Sequence, residues 1–438
     1  MRRILLLTLT LAFSVLAPGG AEDAPRREAA EVRVRSGVPN VARKAREAER
    51  GIRVAYLGGS ITAAPGWRVK SLEGFKARYP AAEWSEIHAA IGGTGSDLGV
   101  FRVAQDALTH RPDLLFVEFA VNDGGADPAQ IQRAMEGIVR QTWSSDAETD
   151  IVFVYTVSEP FLADLRAGKC SRAATAMEEV ADHYGIPSVH FGVEVAKRVD
   201  DGTLVFKGDA PDKNAKPDPD APMLFSTDGV HPLVETGHEI YAAVLARSWD
   251  AIEKAAAPSP APHALPVPLR PDHWAAAKLV PIDPAMLKGD WIRPDSGEKG
   301  DELARRFAKH LPQLWRATTP GDSLTFRFRG SVIGFFDVVG PDGGQLRVAL
   351  DGGEPKVVPR FDAYCTYHRL SKFQVGSGLD PSTEHTVTVT LDATAPDKKT
   401  ILFEKNRPDL EKNPAKYAPN HWNVGAIMLI GEPVPATP

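Results

Sequence analysis

The stretch Leu114-Leu115-Phe116-Val117-Glu118-Phe119 is almost continuously apolar, yet far too short to cross a membrane. A strand that is apolar on both faces must be covered on both faces, as happens in a parallel sheet flanked by helices. Other strand-like runs occur at residues 52–57, 84–90, 151–157 and 188–191. Helix-period stretches at 67–79, 98–109, 129–143 and 171–184 separate them. This βα alternation with short connections predicts an α/β domain over residues 52–256, closed by a final helix after His231. Within the stretch 98–109, the spacing of Val100, Val103, Ala104, Ala107 and Leu108 predicts a buried face, leaving Arg102, Gln105 and Asp106 toward water.

The 438 residues exceed one ordinary core, and the texture changes along the chain. Residues 1–21 read as a secretory signal: Arg2-Arg3, an apolar stretch from Ile4 to Leu16, then Ala17 and Ala21 as cleavage positions. The mature protein is expected to be exported, periplasmic or extracellular. No transmembrane segment follows, and no Cys precedes Cys170 to carry an N-terminal lipid. Residues 22–51, rich in Arg, Glu and Ala, predict a mobile arm leading into a short helix. Residues 207–222 form a polar, proline-rich loop. Residues 257–284 carry closely spaced prolines and predict an extended linker. Residues 285–438 hold short alternating strands such as 323–329, 332–339, 345–350 and 386–391, which predict an antiparallel β-sandwich. The net charge of −6 argues against nucleic acid as a partner. Cys170 and Cys365 are read as unpaired thiols in preference to a disulfide joining the two halves.

Four clusters in the first domain carry chemistry: Gly58-Gly59-Ser60-Ile61-Thr62, Ile91-Gly92-Gly93-Thr94-Gly95-Ser96, Ala120-Val121-Asn122-Asp123 and Asp228-Gly229-Val230-His231-Pro232. Each follows a strand or lies on a loop entering a helix, and a parallel sheet gathers such positions along one edge. Acyl transfer needs this set of groups. A serine hydroxyl becomes a nucleophile when an imidazole takes its proton, and a carboxylate fixes the imidazole's tautomer. Ser60, His231 and Asp228 fit these roles. The Ser60 and Gly93 backbone N–H groups and the Asn122 amide are candidate donors to a developing oxyanion.

In this order the blocks resemble the SGNH (GDSL-type) hydrolase superfamily over about residues 50–255, in a version reading Gly-Gly-Ser-Ile-Thr. The resemblance implies a flavodoxin-like, three-layer α/β/α sandwich, and exported carbohydrate acetylesterases are among the proteins of this kind. It also favours Gly93 over Gly92 or Gly95 as the second donor. Two positions depart from the pattern: Gly59 stands where an acidic residue is usual, and Ala120 where a glycine is usual.

Other readings compete for some of these residues. His231, Glu235 and His238 lie near one another, but the spacing is not that of a helical zinc motif. No metal or other cofactor is expected. Glu118 and Asp123 could form a glycosidase carboxylate pair, although a buried Glu118 and a turn-shaping Asp123 fit better. Gly321-Asp322-Ser323-Leu324 reads as a turn opening a strand. Tyr364, Tyr367 and Trp422 are candidates for sugar stacking or, more in keeping with a sandwich, for its core. The expectation is an exported serine esterase removing acetyl or similar small acyl groups, most plausibly from a carbohydrate. The rivals are a long-chain lipase, lysophospholipase or thioesterase, and a non-enzymatic polysaccharide-binding protein. The oligomeric state is left open.

Overall fold

The computed structural model describes residues 25–48, 51–210, 221–255 and 261–435. The residues read as a secretory signal, 1–21, residues 211–220 of the polar loop and the first linker prolines lie outside them. Along the chain come β1 (Val32–Arg33), α1 (Pro39–Glu47), β2 (Ile52–Gly58), the single turn α2 (Ser60–Ala63), α3 (Trp67–Arg78) and β3 (Trp84–Ala90). Next are α4 (Ser96–Asp106), β4 (Leu114–Glu118), α5 (Pro128–Ser145), β5 (Asp150–Tyr155), α6 (Leu162–Arg166) and α7 (Arg172–Tyr184). The domain closes with β6 (Ser188–His190), α8 (Phe191–Asp200), the parallel pair β7 (Leu204–Lys207) and β8 (Met223–Ser226), and α9 (Gly237–Ala255).

The central sheet has the order β1-β6-β5-β4-β2-β3, with β2 to β6 parallel and β1 antiparallel at the edge. The strand period of two divides β4 between two cores. Leu115 and Val117 join residues of α4, α5 and α7, whereas Leu114 and Phe116 join residues of α3, α8 and α9. That is the three-layer arrangement expected of these apolar runs. The chain passes from β2 to β3 on one side and later returns to β4 on the other. The crevice where the order switches lies above the carboxyl ends of β2 and β4.

The mobile arm expected over residues 22–51 is corrected for its described part. β1 pairs with β6, and Arg33 and Arg35 reach Glu178 of α7 at 2.9 and 2.6 Å. Glu178 is buried and also accepts from the Tyr155 hydroxyl, so the arm's charges serve a buried carboxylate rather than water.

The second domain contains β9 (Ala277–Pro281), β10 (Leu287–Lys288), α10 (Glu302–Phe307), β11 (Trp315–Ala317) and β12 (Ser323–Val339). β13 (Gln345–Leu350), β14 (Lys356–Pro359), β15 (Arg369–Ser377), β16 (Glu384–Leu391) and β17 (Trp422–Pro433) follow. These nine strands form one antiparallel network around β12. Residues 323–329 of β12 pair with β16 and residues 332–339 with β15, while β17 runs along its other side with a register shift after Gly330. The two halves of β12 send Phe326, Phe328, Ile333 and Phe335 into a single core with Trp422 and Val387, which is the sandwich interior.

β9 belongs to this sheet, so the strands begin inside the segment read as linker, 257–284. It pairs with β17 alone and has Pro281 as its last residue, where a strand tolerates proline. The described linker residues before it are extended but strapped down. Arg140 donates to the Pro266 carbonyl at 2.9 Å, and the Leu269 and Arg270 N–H groups bond Glu136 at 2.6 and 2.9 Å.

The two domains share apolar packing. Val332, Phe336, Val338, Met428 and Ile430, on the face of the second sheet away from its own core, join the cluster that contains Val100 and Val103 of α4. This overturns the expected wet face of α4. Arg102 and Asp106 are buried and Gln105 is half-buried: Arg102 turns onto the Gly58 and Ala89 carbonyls of its own domain's sheet, whereas Asp106 and Gln105 meet His310 of the second domain; Ala104 is exposed instead. Cys170 and Cys365 are free buried thiols, with pKa values pushed up by burial to about 12 and about 11.

Glu136 has no exposure to solvent and accepts from Leu269, Arg270 and the Tyr184 hydroxyl. Glu136→Ala strands two backbone donors and is expected to cost about 2–4 kcal/mol of stability in urea unfolding. A loss below about 0.5 kcal/mol would show that the strap contributes little.

Candidate active site

Ser60 opens α2 immediately after β2, with Gly59 as the cap. The turn is built over a buried carboxylate. Glu118, the last residue of β4, accepts from the Thr62 hydroxyl at 2.8 Å, the Thr156 hydroxyl at 2.6 Å and the Gly59 N–H. Burial raises its pKa despite these bonds. The turn also admits no side chain at position 59. A Cβ there would lie 1.9 Å from Asn122 Oδ1, so the amide rests directly on the glycine backbone. The backbone found here thus suits the Gly59 that departs from the usual acidic residue.

The second cluster approaches from β3. A Cβ on Gly92 would lie 3.6 Å from Ser60 Cβ, and Gly93, at φ +74°, forms the exposed left-handed corner next to it. Gly95 caps α4 and lies between the carboxylates of Asp97 and Asp123. Both Asp123 oxygens accept the Ser96 N–H, at 3.0 and 3.3 Å, fastening this loop to the one that carries Asn122. Burial pushes the Asp123 carboxyl up to about 7; Ser96 opposes this, while the negative charges of Asp97 and Glu118 add to it.

His231 joins the remaining groups. Its Nε2 lies 2.8 Å from Ser60 Oγ and its Nδ1 2.7 Å from Asp228 Oδ2. A carboxylate only accepts, so Nδ1 carries the proton and Nε2 is left free to take one from the hydroxyl. The other Asp228 oxygen, Oδ1, accepts the Val230 and His231 N–H groups, both at 2.8 Å, and so shapes the loop. Partial burial alone would raise the Asp228 pKa. Hydrogen bonds from the His231 ring, the two backbone N–H groups and the Ser226 hydroxyl outweigh it and hold the carboxyl well below the usual range. Ser226, fully buried, was not singled out from the sequence. Its Oγ also accepts the Asp228 and Gly229 N–H groups, and its place two residues before Asp228 was the available signal. Asp228 and His231 are half-exposed, so the site is open to solvent.

The competing assignments come apart. His238 is buried, and its Nδ1 accepts the Trp67 N–H at 3.1 Å; burial above all, with the charges of Lys70 and His231, lowers its pKa to about 4. Among the described residues no group of three or more His, Cys, Asp or Glu is placed to hold a metal ion. Glu118 and Asp123 are both buried in structural hydrogen bonds rather than facing a substrate. Asp322 accepts the Thr318 and Thr319 N–H groups in a turn. Trp422 lies in the sandwich core. Tyr364 and Tyr367 are 54% and 51% exposed, against the expectation of core packing. Tyr364 and Phe403 line a cleft of about 590 Å³ with Glu404 and Lys405.

The sequence profile of the GDSL-like Lipase/Acylhydrolase family matches residues 56–240. This segment is a GDSL-like acylhydrolase domain. Over these residues the chain carries the domain of a family of ester-bond hydrolases. A crystal structure of a two-domain esterase active on acetylated mannans, co-crystallised with mannopentaose, aligns with 93% of this chain and 98% of its own. The TM-score is 0.68 at 20% identity. A second crystal structure of a two-domain esterase active on acetylated mannans aligns with 91% of this chain and 97% of its own, at TM-score 0.67 and 21% identity. At such identities the likeness is one of fold, and it spans both domains. No curated protein matches the sequence.

The raised Asp123 pKa has a definite sign in stability. The folded carboxyl holds its proton more tightly than the unfolded one, near 3.8, so its contribution to stability declines as pH rises from about 4 to about 7. Compared with Asp123→Asn, the native protein is expected to lose about 1–3 kcal/mol between pH 5 and pH 7 in urea unfolding. A pH-independent difference between the two would mean that Asp123 ionises normally.

Proposed function

We propose that the protein is an exported serine esterase that removes acetyl groups from a polysaccharide. The observation that carries the catalytic part is His231 bridging Ser60 Oγ and Asp228 at the switch crevice of an acylhydrolase domain. Ser60 Oγ attacks the acyl carbon while His231 Nε2 takes its proton, and Asp228 stabilises the imidazolium. The oxyanion is met by the Ser60 and Gly93 N–H groups and the Asn122 amide, each worth about 3 kcal/mol of barrier lowering. His231 then returns the proton to the leaving alcohol. Water, activated by the same imidazole, releases the acid and frees Ser60.

The substrate part has separate support. The two-domain likeness is to esterases active on acetylated mannans, and the exposed Tyr364, Tyr367 and Phe403 suit stacking against sugar faces. The catalytic loop is braced by polar groups: Glu159 N–H bonds the Gly229 carbonyl at 2.8 Å, and Lys207 pairs with Glu159 at 3.6 Å. An open, polar rim favours a hydroxylated alcohol and a small acyl group over a long alkyl chain, whose affinity needs buried methylenes at about 0.8 kcal/mol each. Export rests on the signal-like residues 1–21; among the described residues no helix is long and apolar enough to cross a membrane.

Ser60→Ala is expected to abolish hydrolysis of an aryl acetate without loss of fold, and Asn122→Ala to lower kcat by about 10²–10³. Undiminished turnover by Ser60→Ala would remove the nucleophile assignment. Against a series of esters, kcat/KM should fall from acetate to butyrate and be negligible at octanoate, and acetylated mannan should release acetate. A rise toward octanoate would instead favour a long-chain acylhydrolase.

A further inference from the structure

Arg102 lies on α4, is fully buried, and is not among the groups that touch Ser60, His231 or Asp228. Its guanidinium nevertheless reaches the floor of the site. Nη2 donates to the Gly58 carbonyl at 3.2 Å and Nη1 to the Ala89 carbonyl, near the carboxyl ends of β2 and β3. Gly58 precedes the Ser60 turn by one residue. It also accepts the Ile91 N–H at 3.0 Å, so the nucleophile turn and the Gly92–Gly93 corner hang from one carbonyl group.

A buried guanidinium needs a counter-charge. Asp106, one helical turn on, supplies it at 2.9 Å. Asp106 is in turn bonded by His310 Nδ1 at 3.2 Å, and His310 belongs to the second domain, whose backbone carbonyl also accepts from Gln105. The bonds from His310 and Arg102 hold the Asp106 pKa low although burial would raise it. At the other end of α4, Lys372 of β15 pairs with Asp97, which flanks the Gly95 cap. The second domain therefore grips the helix at both ends, and the helix carries one oxyanion loop at its start and the Arg102 brace along its length.

We propose that the second domain is part of the catalytic scaffold. Through His310, Asp106 and Arg102, and through Lys372 and Asp97, it holds the Ser60 turn and the Gly92–Gly95 loop in register. Arg102 and His310 are positioning residues; neither touches substrate. This rests on the reading of Ser60 as nucleophile. The physical basis is that a displacement near 1 Å at reacting groups can cost about 10²-fold in rate, so a brace with two fixed carbonyl contacts has catalytic weight without contact.

The test uses the full chain and 4-nitrophenyl acetate, a substrate offering a single acetyl group and no glycan. Arg102→Lys keeps the charge but replaces a planar fork by one ammonium. It and His310→Ala are each expected to lower kcat about tenfold with KM within about twofold, the pattern of lost transition-state stabilisation. His310→Asn, whose amide can donate to Asp106 from the position of Nδ1, should recover most of the rate. Should Arg102→Lys fail to fold, His310→Ala and Lys372→Met, altered from the interface side, carry the measurement. Wild-type kcat in the folded variants, with Ser60→Ala inactive, would overturn the proposal. A fall in kcat that His310→Asn does not recover would also overturn it. If Ser60→Ala itself remained active, the nucleophile reading would have failed, a result that the variants at the interface cannot produce.

Discussion

A guanidinium removed from water is costly unless it is bonded, and the two Nη groups of Arg102 bond the carbonyls of Gly58 and Ala89 and the carboxylate of Asp106, while its Nε has no partner. Strand ends need such help. The last residues of a parallel strand begin to lose their ladder partners, and here the chain must also turn sharply through Gly59 to present Ser60. One buried cation ties two neighbouring strands just where each departs into a functional loop. Glu118 does the complementary work from β4, accepting from the turn itself and from the hydroxyls of Thr62 and Thr156. The serine thus stands on a floor with a fixed cation on one side and a buried carboxyl on the other.

The same logic explains why the two domains are not beads on a string. α4 buries Val100 and Val103 in a cluster completed by Val332, Phe336 and Met428 of the second sheet. β12 alternates its side chains between that cluster and the sandwich interior, where Ile333 and Phe335 lie. One strand therefore serves two cores, and the outer face of a sandwich, normally a polar surface, is apolar along the contact. The strap from Pro266 to Arg270 follows the groove beside Glu136 and leaves little slack between the halves.

The elements set by short-range pattern were readable from sequence. Runs such as Leu114 to Phe119 fix a buried parallel strand, and Asp228-Gly229-Val230-His231 holds its geometry within four residues. What sequence could not reveal depended on contacts between distant segments. Arg102 and Asp106 carry the spacing of a solvated helix face, but the strand-end carbonyls of Gly58 and Ala89 draw Arg102 inward and His310 of the second domain closes over Asp106. The charges of Arg33 and Arg35 resemble those of a disordered arm until Glu178 on α7 is placed behind them. β9 was hidden by the prolines that precede it and by its own Pro281, which the end of an edge strand accommodates. Tyr364 and Tyr367 were ambiguous for the opposite reason: aromatic residues in a sandwich are usually inside, and their exposure is set by the loops between β14 and β15.

The two oxygens of Asp228 have different neighbours, one the backbone of its own loop and the other the imidazole. The carboxylate and the histidine are thereby registered to each other by a local turn, which Ser226 at the end of β8 also pins. The pair behaves as a prefabricated part: the protein has only to deliver it as a unit to within 2.8 Å of a hydroxyl. Insertions before β8 or after His231 leave the part intact, whereas one extra residue between Asp228 and His231 dismantles it. A change of length in the loop before β8 would therefore reshape the rim of the crevice while leaving the Asp228–His231 geometry as it is.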